Sequence, residues 1–172
     1  VDLKTEMTFG PAYYAAGSDK GGKTKYLHTI TKAYLDGRQL IVDAKGKKLT
    51  SKQRNALKTY ASVIAKNWQQ VLAEAAYKYA GAVHGDIKKL MIITEANGDT
   101  SKQIKKYIKH WGELKGFALA LQTGKNNLGA VGSKLNKLVG FSPVMLDNKQ
   151  VTDIDRSGNY LRSSGTSLAQ YQ

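Results

Sequence analysis

The stretch SKQIKKYIKHWGELKGFALALQ, residues 101–122, carries a regular apolar pattern that indicates an α-helix. Its large apolar residues recur at steps of three and four, which places them on one face of a helix. They are Ile104, Tyr107, Ile108, Trp111, Leu114, Ala118 and Leu121. Lysines occupy many of the remaining positions, so the stretch predicts a helix that buries one face and exposes the other.

Three further segments repeat this periodicity, at residues 25–42, 50–80 and 127–139. No run of alternating apolar and polar residues between turn signals competes with these helices. The sequence therefore predicts an all-α fold, an antiparallel helical bundle of about four main helices.

The segments between the helices set the expected boundaries. TSKQ occurs at 50–53 and again at 100–103, where Thr or Ser is a natural N-cap for the helix that follows. We expect one helical domain over residues 1–172. It would comprise an irregular lead-in at 1–23, the bundle at 24–140 and an irregular C-terminal arm at 141–172.

Composition narrows the classes of protein. At 172 residues with 41% apolar content, the chain can build one domain with a real core. It has no continuous apolar run of roughly 18–20 residues, so no transmembrane segment is expected. Cysteine is absent, which excludes disulfides and leaves only His, Asp and Glu for a zinc site. A first residue of Val rather than Met predicts a processed chain or a piece of a longer one.

The net charge is +14, from 27 basic and 13 acidic residues. A charge of this size favours polyanionic partners: nucleic acid, anionic lipid or acidic polysaccharide. Only four basic residues are arginines, so specific DNA recognition, which relies on bidentate arginine contacts, is not expected. The candidate polyanion-binding residues are Lys102, Lys105, Lys106 and Lys109, and a merely solvated helix face is the alternative.

His110 and Glu113 lie three residues apart and would share one face of the 101–122 helix. An imidazole and a carboxylate in this arrangement can bind a divalent metal ion, as Glu-x-x-His pairs do in carboxylate bundles. The pair can instead form a polar clasp to a neighbouring helix at the border of the core. The supply of ligands favours the clasp, because zinc and iron sites generally need three or more protein ligands.

Motifs of covalent catalysis and nucleotide binding are missing from the sequence. There is no G-x-S-x-G elbow, P-loop, dinucleotide fingerprint or H-E-x-x-H zinc motif, so a binding protein is expected more than an enzyme. DIDRSGNYLRSS, residues 153–164, begins like a calcium loop but has Ser164 where an EF-hand needs Glu, so it predicts a solvated turn. Tyr13 and Tyr14 are candidate ligand-binding residues, because loop aromatics beside a proline can line a binding surface.

Five phrases occur in an order that resembles a known family. They are FGPAYY at 9–14, AYLDGRQLIVDAKG at 33–46, NWQQVLAEAAYKYAG at 67–81, KHWGELKGFALALQ at 109–122 and GFSPVM at 140–145. Together they resemble the C-terminal half of an uncharacterised family of bacterial surface lipoproteins with a domain of unknown function, close to the imelysin-like proteins.

The resemblance implies an all-helical domain that is outer membrane-associated, periplasmic or extracellular, and that is the C-terminal part of a longer protein whose N-terminal part packs on it. We expect a binding or structural module whose partner is an acidic polysaccharide or another cell-surface component. The resemblance also implies two kinds of ligand, a metal ion and an acidic polysaccharide, and allows a peptidase-like role. His110 and Glu113 match the His and Glu of the imelysin-like G-x-H-x-x-E motif, but Ile108 stands where the Gly would be. A non-specific polyanion or nucleic-acid binder remains a further alternative.

Overall fold

The computed structural model describes residues 10–123, 128–163 and 166–172. Within these ranges the chain forms six helices and one two-stranded antiparallel sheet. The fold class is therefore all-α, as the sequence predicts. In chain order the elements are α1 Gly10–Asp19, α2 Tyr26–Asp43, α3 Ser51–Glu95, α4 Ser101–Ala120, α5 Gly129–Val139, β1 Gln150–Ile154, β2 Tyr160–Ser163 and α6 Leu168–Tyr171.

The chain divides into two compact units, Val1–Glu74 and Ala75–Gln172, here called the N-terminal and C-terminal units. The boundary falls inside the 45-residue helix α3, which therefore contributes its first part to one unit and its last part to the other. The expected extent of a single domain stays a prediction.

Helices α2 and α3 run antiparallel in the N-terminal unit. The start of α2 meets the later part of this stretch of α3, because Tyr26 Oη donates a hydrogen bond to Glu74 Oε1 at 2.7 Å. The middle of α2 lies against the beginning of α3, because a β-carbon at Gly37 would lie 3.5 Å from both Leu57 and Tyr60. The hydrogen bond to Glu74 is the main reason that the pKa of Tyr26 is raised to about 12.

The Asp19 carboxylate ties α1 to the first turn of α2. It accepts hydrogen bonds from the backbone N–H groups of Tyr26 and Leu27, both at 2.8 Å, and from Thr24 Oγ1 at 2.7 Å. It thereby satisfies amide donors that a helix start leaves unpaired and places negative charge at the positive end of the helix dipole. Burial raises the pKa of Asp19, but the hydrogen bonds from Thr24, Leu27 and Tyr26 together lower it below 3.8.

The expectation of an irregular lead-in at 1–23 is wrong for Gly10–Asp19, which is helical. Proline is tolerated in the first turn of a helix, and the alanines that follow favour helix. Residues 1–9 lie outside the described ranges.

Antiparallel packing also organises the C-terminal unit. The later part of α3 packs on α4, and α4 packs on α5, where Asn136 Nδ2 donates to Ala118 O at 2.7 Å. At Gly132 the backbone of α5 comes close to the end of α4, because a β-carbon there would lie 3.3 Å from Leu121 O. The core of this unit consists of Val83, Ile87, Leu90, Tyr107, Trp111, Leu114, Ala118, Leu121, Val139, Val144 and Leu168, with Ala75 and Ala76 at its start.

Two helix ends differ from the sequence prediction. Helix α3 continues to Glu95 instead of ending at residue 80, and it stops where Asn97 adopts a left-handed φ of 54°. Its start is as predicted, since Gln53 N donates to Thr50 Oγ1 at 3.2 Å and Thr50 N donates to Gln53 Oε1 at 2.8 Å. At α4, Asp99 accepts the Ser101 N–H at 2.9 Å, and Thr100 makes no side-chain cap bond within the described part of the chain. Asn127, where the last predicted helix was expected to begin, lies outside the described ranges.

The C-terminal arm contains regular structure that the sequence did not predict. Strands β1 and β2 form a hairpin, and α6 follows with a capping box made by Ser167 and Gln170. The turn of this hairpin lies within the segment that resembles a calcium loop, and in it Asp155 accepts the N–H groups of Ser157 and Asn159 at 2.8 Å each. The turn predicted for 153–164 is present at 155–159, whereas 153–154 and 160–163 belong to the strands and Ser164 lies outside the described residues.

None of the helices in the described ranges is both long enough and apolar enough to cross a membrane.

Replacing Asp19 by Asn should lower the free energy of unfolding by roughly 1 kcal/mol at neutral pH, because it removes the negative charge at the start of α2 and one of the two acceptor oxygens. The pKa of Asp19 is lower in the folded state than the ordinary value of 3.8. Its stabilisation is therefore complete above pH 3.8 and is lost as the pH falls through the folded-state pKa. Urea denaturation of both proteins across this range measures the difference.

The matched control is Asp43→Asn at the other end of α2, where a negative charge is not favoured by the helix dipole. This variant should be no less stable than the original chain. A stability difference for Asp19→Asn that is the same at acidic and neutral pH would contradict the capping role.

Candidate functional site

Asp86, a buried carboxylate on α3, is the centre of a polar cluster in the C-terminal unit. Only 3% of this residue is exposed. Its Oδ2 lies 2.5 Å from His110 Nδ1, and its Oδ1 accepts a hydrogen bond from Gln103 Nε2 at 2.9 Å. Lys106 Nζ is 3.8 Å from the same Oδ1. These four residues, here called the Asp86 cluster, satisfy a charge that would be costly to bury alone.

Helix geometry brings the three α4 residues of the cluster together. Positions 103, 106 and 110 are separated by three and four residues, so they lie along one side of α4. On α3, Asp86 sits beside the core residue Ile87 and three positions after Val83. The cluster therefore lies where the apolar faces of α3 and α4 meet.

Two aromatic rings border the cluster. The Tyr79 ring centroid is 5.9 Å from that of His110 and 5.7 Å from that of Phe117, on which it is stacked. The His110 side chain keeps 20% of its surface exposed, so the imidazole is in contact with solvent although its partner carboxylate is not.

The predicted pair of His110 and Glu113 is arranged differently from the prediction. His110 forms its hydrogen bond with Asp86 on α3, so the interhelical clasp is present but has another carboxylate as its partner. Glu113 Oε2 is buried and has no hydrogen-bond partner among the described residues. The described ranges also contain no group of three or more His, Asp or Glu side chains that could hold a metal ion. Metal binding by His110 and Glu113 stays a prediction.

A carboxylate that fixes one nitrogen of an imidazole also occurs where histidine acts as a general base. In nucleophilic catalysis such a histidine also has a hydroxyl or thiol within hydrogen-bonding reach of the imidazole. The chain has no cysteine, and no described serine or threonine is hydrogen-bonded to His110. The geometry thus supports a role in fixing α4 against α3.

The four candidate polyanion-binding lysines are all exposed on α4. At 3.6 residues per turn, they fall within an arc of about 100° around the helix. Of these four lysines only Lys106 forms an ion pair within the described part of the chain, and its partner is the buried Asp86. The positively charged surface formed by Lys102, Lys105, Lys106 and Lys109 is called the α4 lysine face below.

Tyr13 and Tyr14 lie on helix α1 of the N-terminal unit, so the expectation that they belong to a loop is wrong. Their rings form an edge-to-face pair with centroids 5.5 Å apart. Tyr13 is 65% exposed, which leaves most of its ring accessible. A ligand-binding role for the two residues stays a prediction.

Sequence reasoning missed Asp86 and Gln103. The sequence contained a usable signal, because Asp86 lies three residues after Val83 and four before Leu90 and therefore shares their face of the helix. A carboxylate on a buried helix face must accept hydrogen bonds from other side chains or from the backbone. The signal was lost because the predicted helix ended at residue 80.

Comparisons with known proteins leave the family open. No family model, curated protein or solved structure matches this chain. The resemblance to bacterial surface lipoproteins and the expected location outside the cytoplasm therefore stay predictions. Any functional conclusion must come from the arrangement of the described residues.

Replacing Asp86 by Asn and His110 by Ala, singly and together, tests the cluster. Each change should lower the free energy of unfolding by about 2 kcal/mol, because it leaves a buried partner without a strong hydrogen bond. The double variant should lose about 1–2 kcal/mol less than the sum, because both changes remove the same bond. Chemical denaturation of the four proteins provides the values.

Glu113→Gln serves as the comparison for the carboxylate and His84→Ala for the imidazole. Glu113 Oε2 has no hydrogen bond to lose among the described residues, and His84 is exposed. Both changes should alter stability by less than about 0.5 kcal/mol. A cost for Glu113→Gln as large as that for Asp86→Asn would mean that the clasp depends on Glu113 after all.

Proposed function

We propose that this chain is a non-enzymatic binding module that holds an acidic polymer, specifically an acidic polysaccharide, on the α4 lysine face. The observation that carries the proposal is the set of four exposed ammonium groups on one side of a single helix. Among the described residues, the only carboxylate within 4 Å of these four ammonium groups is that of Asp86, which is itself buried.

The charge pattern favours a polymer over a small anion. Like charges three and four residues apart on a helix repel each other, and this costs a few tenths of a kcal/mol per pair. A chain of carboxylates or sulfates that runs along α4 would neutralise several ammonium groups at once. Lysine side chains are flexible point charges, which suits a polymer that lacks one fixed geometry.

Two features favour polysaccharide over nucleic acid. Arginine, the usual side chain for bidentate contacts to bases and phosphates, is scarce in the sequence. The location outside the cytoplasm that the resemblance implies, itself a proposal, favours the same ligand. The module would then work at a bacterial surface or in the periplasm.

The Asp86 cluster supports this role by fixing the rotation of α4 against α3. A surface that is held in place before the ligand arrives loses less conformational freedom on binding. Lys106 Nζ lies 3.8 Å from the Asp86 carboxylate, so its charge is partly neutralised. Lys102, Lys105 and Lys109 should therefore contribute more to binding than Lys106.

Reversing three charges of the face tests the proposal. We expect the Lys102→Glu/Lys105→Glu/Lys109→Glu variant to bind polygalacturonate at least about tenfold more weakly, a loss of about 1.4 kcal/mol or more. Binding by the original chain should weaken steeply with salt, because the screening length falls from about 10 Å at 0.1 M to about 3 Å at 1 M. Isothermal titration calorimetry at several salt concentrations measures both effects.

The control changes the net charge by the same amount elsewhere. Lys47, Lys48 and Lys52 are exposed in the N-terminal unit, and their replacement by Glu should leave most of the affinity intact. An equal loss in both triple variants would mean that net charge alone drives binding. Absence of binding by the original chain would identify the face as merely solvated, and salt-insensitive binding of one DNA sequence would favour a nucleic-acid function.

A second candidate function, a metal-binding or peptidase-like one, rests on the buried oxygen of Glu113 that lacks a described partner three residues from His110. Our proposal predicts that the purified protein contains no stoichiometric zinc or iron and that a chelator leaves its thermal midpoint unchanged. Elemental analysis and thermal denaturation measure these quantities. Stoichiometric metal that disappears in His110→Ala would establish the second candidate instead.

A further inference from the structure

A groove in the C-terminal unit lies between α4, the segment 142–149 and the β1–β2 hairpin. Its volume is about 490 Å³, within the range of small-molecule sites. None of the residues assigned to the α4 lysine face lines it. The lining residues are Ile104, Ser142, Pro143, Met145, Leu146, Asp147, Lys149, Val151 and Arg162.

The walls of the groove are mainly apolar. Ile104 comes from α4, Val151 comes from β1, and Pro143, Met145 and Leu146 come from the connecting segment. Met145 and Leu146 remain 36% and 37% exposed, so apolar surface faces the hollow uncovered. An apolar ligand would remove this surface from water, which is favourable in proportion to the area covered.

The three charged side chains at the groove differ in whether an opposite charge neutralises them. Lys149 Nζ lies 3.5 Å from Asp147 Oδ2, so each of these two charges partly neutralises the other. Arg162 forms no ion pair within the described ranges and is therefore the uncompensated charge. Arg162 is the cross-strand partner of Val151, which places the two side chains on the same face of the hairpin. The guanidinium therefore stands beside the apolar wall.

Hydrogen bonds hold the walls in place before any ligand arrives. Tyr107 Oη donates to the carbonyl of the fully buried Val144 at 3.0 Å. Ser142 joins the segment to β1, because its Oγ accepts the Val151 N–H at 2.8 Å. Asn148, with a left-handed φ of 59°, closes the turn at 145–149, and its Oδ1 accepts the Leu168 N–H at 3.0 Å. A preformed site of this kind loses little conformational entropy on binding.

From these features we propose that the groove binds a small amphiphilic carboxylate. The apolar chain of the ligand fills the hollow between Ile104 and Leu146, and its carboxylate pairs with the Arg162 guanidinium, whose planar fork matches a carboxylate. Asp147 repels the ligand and so limits its affinity. A neighbouring hollow of about 290 Å³ shares Leu146 but has Glu95 as its charged lining residue, so the carboxylate is directed to the Arg162 end.

Binding of dodecanoate, at concentrations below its micelle formation, tests this proposal by titration calorimetry. Dodecanol supplies the same chain without the charge, and acetate supplies the charge without the chain. We expect dodecanoate to bind more tightly than either comparison compound. Arg162→Gln should weaken dodecanoate binding at least about tenfold and leave dodecanol binding unchanged. Asp147→Asn should strengthen dodecanoate binding, because it removes the repelling charge.

Arg156→Gln is the matched control, since Arg156 is exposed in the same hairpin but does not line the groove. It should bind dodecanoate like the original chain, and circular dichroism should give one spectrum for all variants. Val151→Thr, which keeps the shape of the wall, should weaken both long-chain ligands. The proposal is overturned if the original chain does not bind dodecanoate, or if Arg162→Gln and Arg156→Gln lower its affinity equally. It does not depend on polysaccharide binding, because the α4 triple variant should still bind dodecanoate.

Discussion

The buried carboxylate of Asp86 is the constraint on which the C-terminal unit depends. A carboxylate in the core must be matched by donors, since removing one partner of a buried charged pair typically costs several kcal/mol. Gln103 and His110 supply those donors from α4. Only one rotation of α4 about its axis satisfies Asp86 and buries Tyr107 and Trp111 together. A turn of one residue, about 100°, would break both sets of contacts.

The same rotation determines what α4 presents on its other sides. Trp111 Nε1 donates to Val139 O at 3.2 Å and to Tyr171 Oη at 2.8 Å, which joins α4 to α5 and α6. Ile104 lines the groove, and the next residue, Lys105, belongs to the α4 lysine face. Both proposed binding surfaces are thus consequences of one helix orientation, although their ligands differ in chemistry.

The sequence predicted what local periodicity determines. Most of the buried face of α4 and the start of α2 were predictable because burial repeats every three to four residues, although Ile108, predicted on that face, is 40% exposed. The Thr50 cap was predictable because its partner is Gln53. The partner of His110 was not, because Asp86 lies 24 residues earlier and only tertiary packing brings the two together. The hairpin was not predicted either, because its strands are short and mostly exposed, with little alternation to detect.

The packing of α4 explains how the helix can tolerate the mutual repulsion of its four exposed lysines. Its lysines repel one another, and its Thr100 cap bond is not formed within the described residues, so its exposed side contributes little stability. Its buried side compensates, because fully burying one large apolar side chain contributes about 1.5–3 kcal/mol, several times the cost of a repelling pair. Tyr107, Trp111 and Leu114 all lie on that side. Stability and surface charge are therefore separated on opposite sides of one helix, and Lys102, Lys105 and Lys109 can be changed, or used for binding, without loss of the fold.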